Sequence, residues 1–199
     1  MTQAAKQNQR WRSDDSVPTP PTTPHFILEP LHEKHAKLDF AALMSCRQRL
    51  RNELQWGEWP PRDFTLSRNR ADLRDHYGEF VRGEAFAYTV LQPDQTRCLG
   101  CIYLERFDPL DGAQLAFWVI DGALDIETML VKTTLNWAHS AWGIEHIAFP
   151  FRPSNVRGIA LAESLGLVPW DSKATHLANH RCLHSISRVQ RQCPRSRKV

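Results

Sequence analysis

The residues that could most clearly take part in ligand binding or catalysis lie where a strand leads directly into a helix. Residues 113–120 (AQLAFWVI) have the apolar character of a buried strand, and a helix is predicted from about Asp125 to Trp142. A helix beginning just after a strand presents its N-terminal amide groups and dipole to an anion such as phosphate. Here, however, the intervening turn contains Asp121 and Asp125. The stretch therefore predicts an anion-binding geometry that has acidic side chains within it.

The composition indicates a single globular domain. The chain has 199 residues, of which 42% are hydrophobic and 24% charged, and these values are ordinary for one domain. The net charge is only +3, but no acidic residue follows Asp171 while seven basic residues do. A solvated tail explains this best, and a patch for nucleic acid is the weaker alternative. Without a secretory signal or a membrane-length apolar run, we expect a cytoplasmic protein that does not contact a membrane.

The cysteines predict reduced thiols and no metal site. The chain has five of them, and their odd number and irregular spacing do not suggest a disulfide framework. Cys98 and Cys101 have the CxxC spacing of metal ligands, but no second CxxC or nearby His pair completes a zinc set. They also lie in a predicted strand, where residues three apart point to opposite faces.

The chain divides into three parts. Residues 1–24 are rich in Gln, Thr and Pro and are predicted to form a disordered arm, residues 25–188 form the domain, and residues 189–199 form a basic tail. Within the domain, periodicity and turn residues predict the order β, helices, β-β-β, α, β, α, β. This order predicts an α/β (α+β) domain in which helices flank a central mixed, mostly antiparallel sheet of six to seven strands.

Three short stretches resemble the GCN5-related N-acetyltransferase (GNAT) superfamily, and within it the ribosomal-protein-alanine acetyltransferases. They are Ala113-Gln-Leu-Ala-Phe-Trp118 on a strand, Asn155-Val-Arg-Gly158 at the start of a helix, and Glu163-Ser-Leu-Gly-Leu167 at its end. Their order and spacing carry the resemblance, which covers about residues 25–170. It implies a single GNAT-like domain in which strands 4 and 5 splay apart as a V.

The resemblance implies acetyl-CoA as co-substrate and no metal. In this family the pantetheine arm lies along the backbone of the splayed fourth strand, and the pyrophosphate lies on amide groups at the start of the next helix. The acceptor is a primary amine on a small molecule, peptide or protein N-terminus, and it attacks the acetyl carbonyl directly in a ternary complex. The cofactor-binding positions carried over are Phe117, Trp118, Val119, Ile120, Gly122, Ala123 and Asn155.

The resemblance also indicates where a proton is removed and where the acceptor binds. The strand glutamate that often serves as base in the family corresponds to Gln114, which cannot accept a proton at neutral pH. The nearest candidates are Glu105 and Asp108, at the end of the preceding strand, although either is otherwise a solvated loop residue. Trp56 and Trp59, in the loop WGEWPP, either line the acceptor cleft or pack onto the sheet.

Departures from the family pattern keep a second function open. The turn after the fourth strand has one glycine, no basic residue and two aspartates, and an aspartate that caps the helix would occupy its amide groups. Gly158 and Ala162 stand where the family has a serine and, in many members, a tyrosine. The alternative is a catalytically degenerate GNAT-fold binding or regulatory module. The chain is expected to be a monomer or a homodimer.

Overall fold

The structure, a computed structural model, describes residues 17–54, 56–107, 112–170 and 183–188. One sheet of seven strands forms its centre, in the order β1-β2-β3-β4-β5-β7-β6. The strands are β1 Ile27–Pro30, β2 Ala85–Leu91, β3 Cys98–Phe107, β4 Gly112–Val119, β5 His146–Phe151, β6 Val168–Trp170 and β7 Leu183–Arg188. Among these described strands, only β4 and β5 pair in parallel. The predicted mixed, mostly antiparallel sheet is confirmed.

In the described residues, five helices flank the sheet. They are α1 Ala36–Ser45, α2 Arg47–Glu53, α3 Leu66–Arg82, α4 Glu127–Trp142 and α5 Val156–Ser164, with 3-10 segments at Glu33–His35 and Asp121–Ile126. Successive side chains of a strand face opposite sides of the sheet. On one side, the hydroxyl of Thr89 contacts His35, just before α1. On the other side, Tyr88 packs on Trp137 of α4. In the part of the chain that the structure describes, no helix has the length and apolar character needed to span a bilayer.

Strands β4 and β5 touch at one end and separate at the other. Their pairing is limited to Ala113 with Ile147 and Gln114 with Ala148. Gly112 permits this close approach, because a Cβ there would lie 2.2 Å from the carbonyl oxygen of His146. Beyond Gln114 the strands diverge, so the predicted V between strands 4 and 5 is confirmed.

A bulge in β3 places the two cysteines of the CxxC stretch on the same face. Val90 pairs with Gly100 and Leu91 with Cys98, so Leu99 is the extra residue. The expectation that Cys98 and Cys101 point to opposite faces is therefore wrong. Their sulfur atoms and a carboxylate oxygen of Asp39 lie within 4.8 Å of one another. Burial raises the pKa of both the Asp39 carboxyl and the Cys101 thiol, which favours their protonated forms.

Candidate active site

The open edge of β4 faces the gap between the separating strands. The amide of Ile120 donates to the carbonyl of Leu99 at 2.8 Å, and antiparallel alternation directs the peptide groups of Trp118 toward β3 as well. Those of Phe117 and Val119 therefore point to the opposite edge, into the groove beside β5. Of the four residues predicted to form the cofactor strand, two present backbone groups to this groove and two bond within the sheet.

The acidic turn after β4 is not capped by its own aspartates. Residues Asp121–Ile126 form a 3-10 segment, and the cap positions of this segment and of α4 are Ile120 and Ile126, which make no side-chain cap bond. The expectation that an aspartate caps the helix is therefore wrong. Asp121 instead points outward, and its Oδ1 lies 2.5 Å from Nε of Arg49 on α2.

Two arginines from distant segments lie beside this turn. Arg49 precedes Asp121 by 72 residues, and its guanidinium also donates to the carbonyl of Val119 on the groove edge. Arg97, at the end of the β2–β3 hairpin, places a guanidinium nitrogen 3.6 Å from where a Cβ on Gly122 would be. The basic residue that the turn lacks in its own sequence is thus present in space. Sequence reasoning missed both arginines, because neither belongs to a local motif.

A chain of ion pairs crosses the outer end of the groove. Glu53 accepts from Nη1 of Arg49 and from Nη2 of Arg157, each at 2.7 Å, and Arg157 also contacts Glu127 at the start of α4. With Asp121 at its far end, this ion-pair chain links α2, the turn after β4, α4 and α5. The free volume left in the groove is about 20 Å³, which is room for little more than one water molecule.

Asn155 lines the same groove, but its side chain is used by the fold. Its Oδ1 accepts from the amide of Gly158 at 2.8 Å and so caps α5. A Cβ on Gly158 would lie 2.6 Å from Cε1 of Phe151, which explains why the serine of the family pattern is absent here. Cofactor binding by Asn155 stays a prediction.

A second, larger cavity of about 300 Å³ adjoins the groove. Its aromatic wall includes Trp56, Trp59 and Tyr103. The ring centroid of Trp56 lies 5.3 Å from that of Trp59 and 5.0 Å from that of Tyr103. Trp56 and Trp118 line both the cavity and the groove, so these two side chains form a wall that the two spaces share. The two tryptophans that sequence reasoning assigned to acceptor binding therefore lie together on one cavity.

Glu105 lies on the same cavity, whereas Asp108 is outside the described residues. The Glu105 carboxylate remains accessible, but surrounding protein atoms partly desolvate it and raise its pKa, and the charge of Glu79 raises it further. A carboxylate with a raised pKa is a better proton acceptor for an ammonium group than an ordinary glutamate.

Sequence reasoning missed four polar residues of this cavity. Asp39 and Asn69 bond to each other, and the other two are Asp72 and His76. Both lie on α3, four residues apart, so they share one face of the helix. This spacing was the available signal, and the buried Leu73 between them marks the inward side.

A family model described as acetyltransferase (GNAT) domain matches residues 25–168, while no curated protein matches the chain. The ribosomal-protein-S5-alanine acetyltransferase from Vibrio fischeri is 15% identical with a TM-score of 0.66, over 85% of this chain and 96% of that one. RimL, a ribosomal L7/L12 alpha-N-protein acetyltransferase solved with coenzyme A, is 16% identical with a TM-score of 0.64, over 83% and 93%. FdhC, a nucleotide-linked sugar GNAT, is 11% identical with a TM-score of 0.65, over 86% and 91%. At these identities the likeness shows the fold.

Proposed function

The chain belongs to the GNAT acetyltransferase family, and from that membership we propose that it is an acetyl-CoA-dependent N-acetyltransferase of the cytoplasm. The acceptor is the primary amine of a small molecule, peptide or protein N-terminus. The observation that carries the proposal is that the cavity and the groove beside β4 are adjacent and share Trp56 and Trp118 in their walls. Adjacent spaces would hold an amine and a thioester close to each other.

In this proposal Glu105 is the proton acceptor. The acceptor enters as an ammonium ion and loses a proton to the Glu105 carboxylate, directly or through a water molecule. The amine nitrogen then bonds to the acetyl carbon and the carbon–sulfur bond breaks. Coenzyme A leaves as a thiolate that takes up the second proton, which the nitrogen loses as the amide forms. Asp108 is kept as a second candidate for the base, because it follows Glu105 closely in sequence.

Some residues beside β4 could bind acetyl-CoA without rearrangement, whereas Arg49 must first change its partners. The backbone groups of Phe117 and Val119 would pair with the pantetheine arm, with Gly122 and Ala123 at the pyrophosphate end. Arg49 and Arg97 would supply the positive charge there. Because Arg49 already bonds to Val119 and Asp121, it must exchange these partners for the cofactor. Binding therefore requires the ion-pair chain to open.

The test combines turnover with binding. The full chain is incubated with acetyl-CoA and a panel of amines, and release of coenzyme A is followed with a thiol reagent. Calorimetry with acetyl-CoA alone measures binding independently of the acceptor. We expect saturable binding and release above background with at least one amine. Failure to bind acetyl-CoA at millimolar concentration would end the proposal.

The ion-pair chain also favours one second candidate, a binding or regulatory module that has kept the fold and lost catalysis. If the bridge among Arg49, Glu53 and Arg157 never opens, the groove stays closed to a thioester. This candidate predicts no acetyl-CoA binding by the unmodified protein. Robust acetyl transfer would dispose of it.

A further inference from the structure

The cavity beside the groove combines aromatic walls with negative charge. Four aromatic side chains line it: Trp56, Trp59, Tyr103 and Trp118. Three acidic side chains of the described residues line it too: Asp39, Asp72 and Glu105. Burial favours the protonated form of Asp39, so Asp72 and Glu105 supply the negative charge. Among the described residues that line it there is no lysine and no arginine, so nothing permanently cationic on the wall offsets these acids.

Two of the three carboxylates have no partner in the described part of the chain. Asp39 is satisfied, because its Oδ2 accepts from Asn69 at 2.8 Å. Asp72 and Glu105 accept no hydrogen bond and form no ion pair there, although Arg68 lies one helical turn from Asp72. Desolvation raises the pKa of both, although the charge of His76 lowers both and that of Arg68 lowers the pKa of Asp72, because a partly desolvated carboxylate without a bonded counter-charge is costly. A positively charged ligand would remove that cost.

The histidine of the cavity offsets the two free carboxylates only in part, because it lowers the pKa of Asp72 and of Glu105 by less than desolvation raises them. Nδ1 of His76 lies 3.1 Å from a carboxylate oxygen of Glu79, on its own helix. Its ring packs on Tyr103, with the centroids 5.5 Å apart. His76 is therefore held by Glu79 and Tyr103 and serves as part of the wall.

We infer that the acceptor is a compact organic cation, namely a primary amine on an apolar aliphatic or aromatic body that carries no acid group. This inference rests on the proposed function and names its substrate class. The aromatic wall of Trp56, Trp59 and Tyr103 binds the apolar body and attracts the ammonium by cation–π contact. Glu105 receives the reacting nitrogen, and Asp72 sets the preference for positive charge. A cavity of about 300 Å³ is at the small end of ligand pockets, which suits a small molecule better than an extended polypeptide.

The first experiment measures binding without acetyl-CoA. The full chain is titrated with 2-phenylethylamine, 2-phenylethanol and phenylalanine, which share a ring and differ in charge, and calorimetry or tryptophan fluorescence follows each titration. We expect 2-phenylethylamine to bind at least about tenfold more tightly than either of the others, as one charge-assisted contact provides. Equal or tighter binding of the alcohol or of phenylalanine would overturn the inference.

The second experiment uses Asp72→Asn with Asp75→Asn as its matched control. Asp75 is exposed on the same helix and does not line the cavity. We expect D72N to weaken 2-phenylethylamine binding about tenfold and to raise its KM while kcat stays within twofold, with 2-phenylethanol unaffected. D75N should resemble the unmodified protein. Unchanged amine binding in a D72N protein that retains acetyl-CoA affinity would contradict the role of Asp72. If D72N does not fold, Trp59→Leu tests the wall by the same readouts.

The outcomes separate this inference from the proposed function. Binding of 2-phenylethylamine without any acetyl transfer would remove the transferase proposal and leave the cation site intact. Acetylation of short peptides that begin with alanine or serine, with none of 2-phenylethylamine, would overturn the cation site and leave the transferase proposal intact.

Discussion

Glu105 on β3 and Gln114 on β4 are direct partners in the antiparallel ladder. Directly opposed residues point to the same face of a sheet, with Cβ atoms about 4.5–5.5 Å apart. The family resemblance places a glutamate base at position 114, where this chain has an amide. The carboxylate thus lies one strand over, on the same face and on the wall of the cavity. Glu105 can therefore take the place of the usual base, and substitution of Glu105 tests this.

We expect Glu105→Gln to lower kcat about 10²- to 10³-fold, because the amide keeps the shape of the side chain and cannot accept a proton. Acetyl-CoA affinity, measured by calorimetry, should stay within twofold. Glu163→Gln, at an exposed position on α5, is the matched control and should retain full activity.

The double variant Glu105→Gln/Gln114→Glu tests the geometry behind this prediction. It returns a carboxylate to the same face of the sheet, and we expect it to recover about tenfold of the lost kcat. A folded double variant as inactive as E105Q would indicate that the position on β3 is required. Unchanged activity in E105Q itself would assign the proton to another group, with Asp108 first.

The rate should depend on pH through Glu105. Partial desolvation by surrounding protein atoms and the charge of Glu79 raise the pKa of this carboxyl, so its proton is held to a higher pH than on an ordinary glutamate. Because the ionised form is the proton acceptor, kcat should rise with pH through this raised pKa and fall as pH decreases below it. The measurement is kcat between pH 4 and 9 for the unmodified protein and for E105Q. The variant should lack this acid limb, and an identical limb in both proteins would assign it elsewhere.

Arg97→Gln should weaken acetyl-CoA binding about five- to tenfold, because the exposed guanidinium beside Gly122 is positioned to contact an anionic group. The effect should shrink at high salt, since an exposed charge is screened. S-acetyl-N-acetylcysteamine, which has the acetyl thioester but no phosphate, should react equally well with both proteins. Arg70→Gln, at an exposed site on α3, serves as the control. Equal losses with both donors would place the effect on the fold rather than on phosphate recognition.

The sheet could be predicted from sequence and the electrostatics of the site could not. Apolar alternation and turn residues determine the hairpin of β2 and β3 and the strand–turn–helix unit after β4, because these are local signals. The bulge at Leu99 left no such signal, and it reversed the expected geometry of the CxxC stretch. The arginines beside the turn are invisible to a motif, because Arg49 precedes Asp121 by 72 residues. Trp56, Trp59 and Glu105 were chosen from the family resemblance, and the structure places them together on the cavity. Asp72 was not, since one carboxylate on a polar helix face is ordinary.

Glu53 is the centre of the ion-pair chain, and its replacement tests whether that chain restricts the groove. The ion-pair chain has a net charge of −1, because it contains three carboxylates (Glu53, Asp121, Glu127) and two guanidinium groups (Arg49, Arg157). Glu53→Gln brings this charge to zero and removes the carboxylate that both arginines share. We expect acetyl-CoA affinity to increase about fivefold. The Glu53 carboxylate no longer repels the phosphates, and the two arginines exchange partners more easily.

The same substitution should lower the free energy of unfolding by about 1–2 kcal/mol, because the side-chain exposure of Glu53 is only 18% and a half-buried pair is worth more than a surface one. Glu58→Gln provides a comparison, since the Glu58 side chain is 87% exposed and outside the chain of ion pairs. Calorimetry gives the affinity, and urea denaturation gives the stability. Weaker acetyl-CoA binding in a folded E53Q protein would mean that Glu53 positions the two arginines for the cofactor rather than holding them away from it.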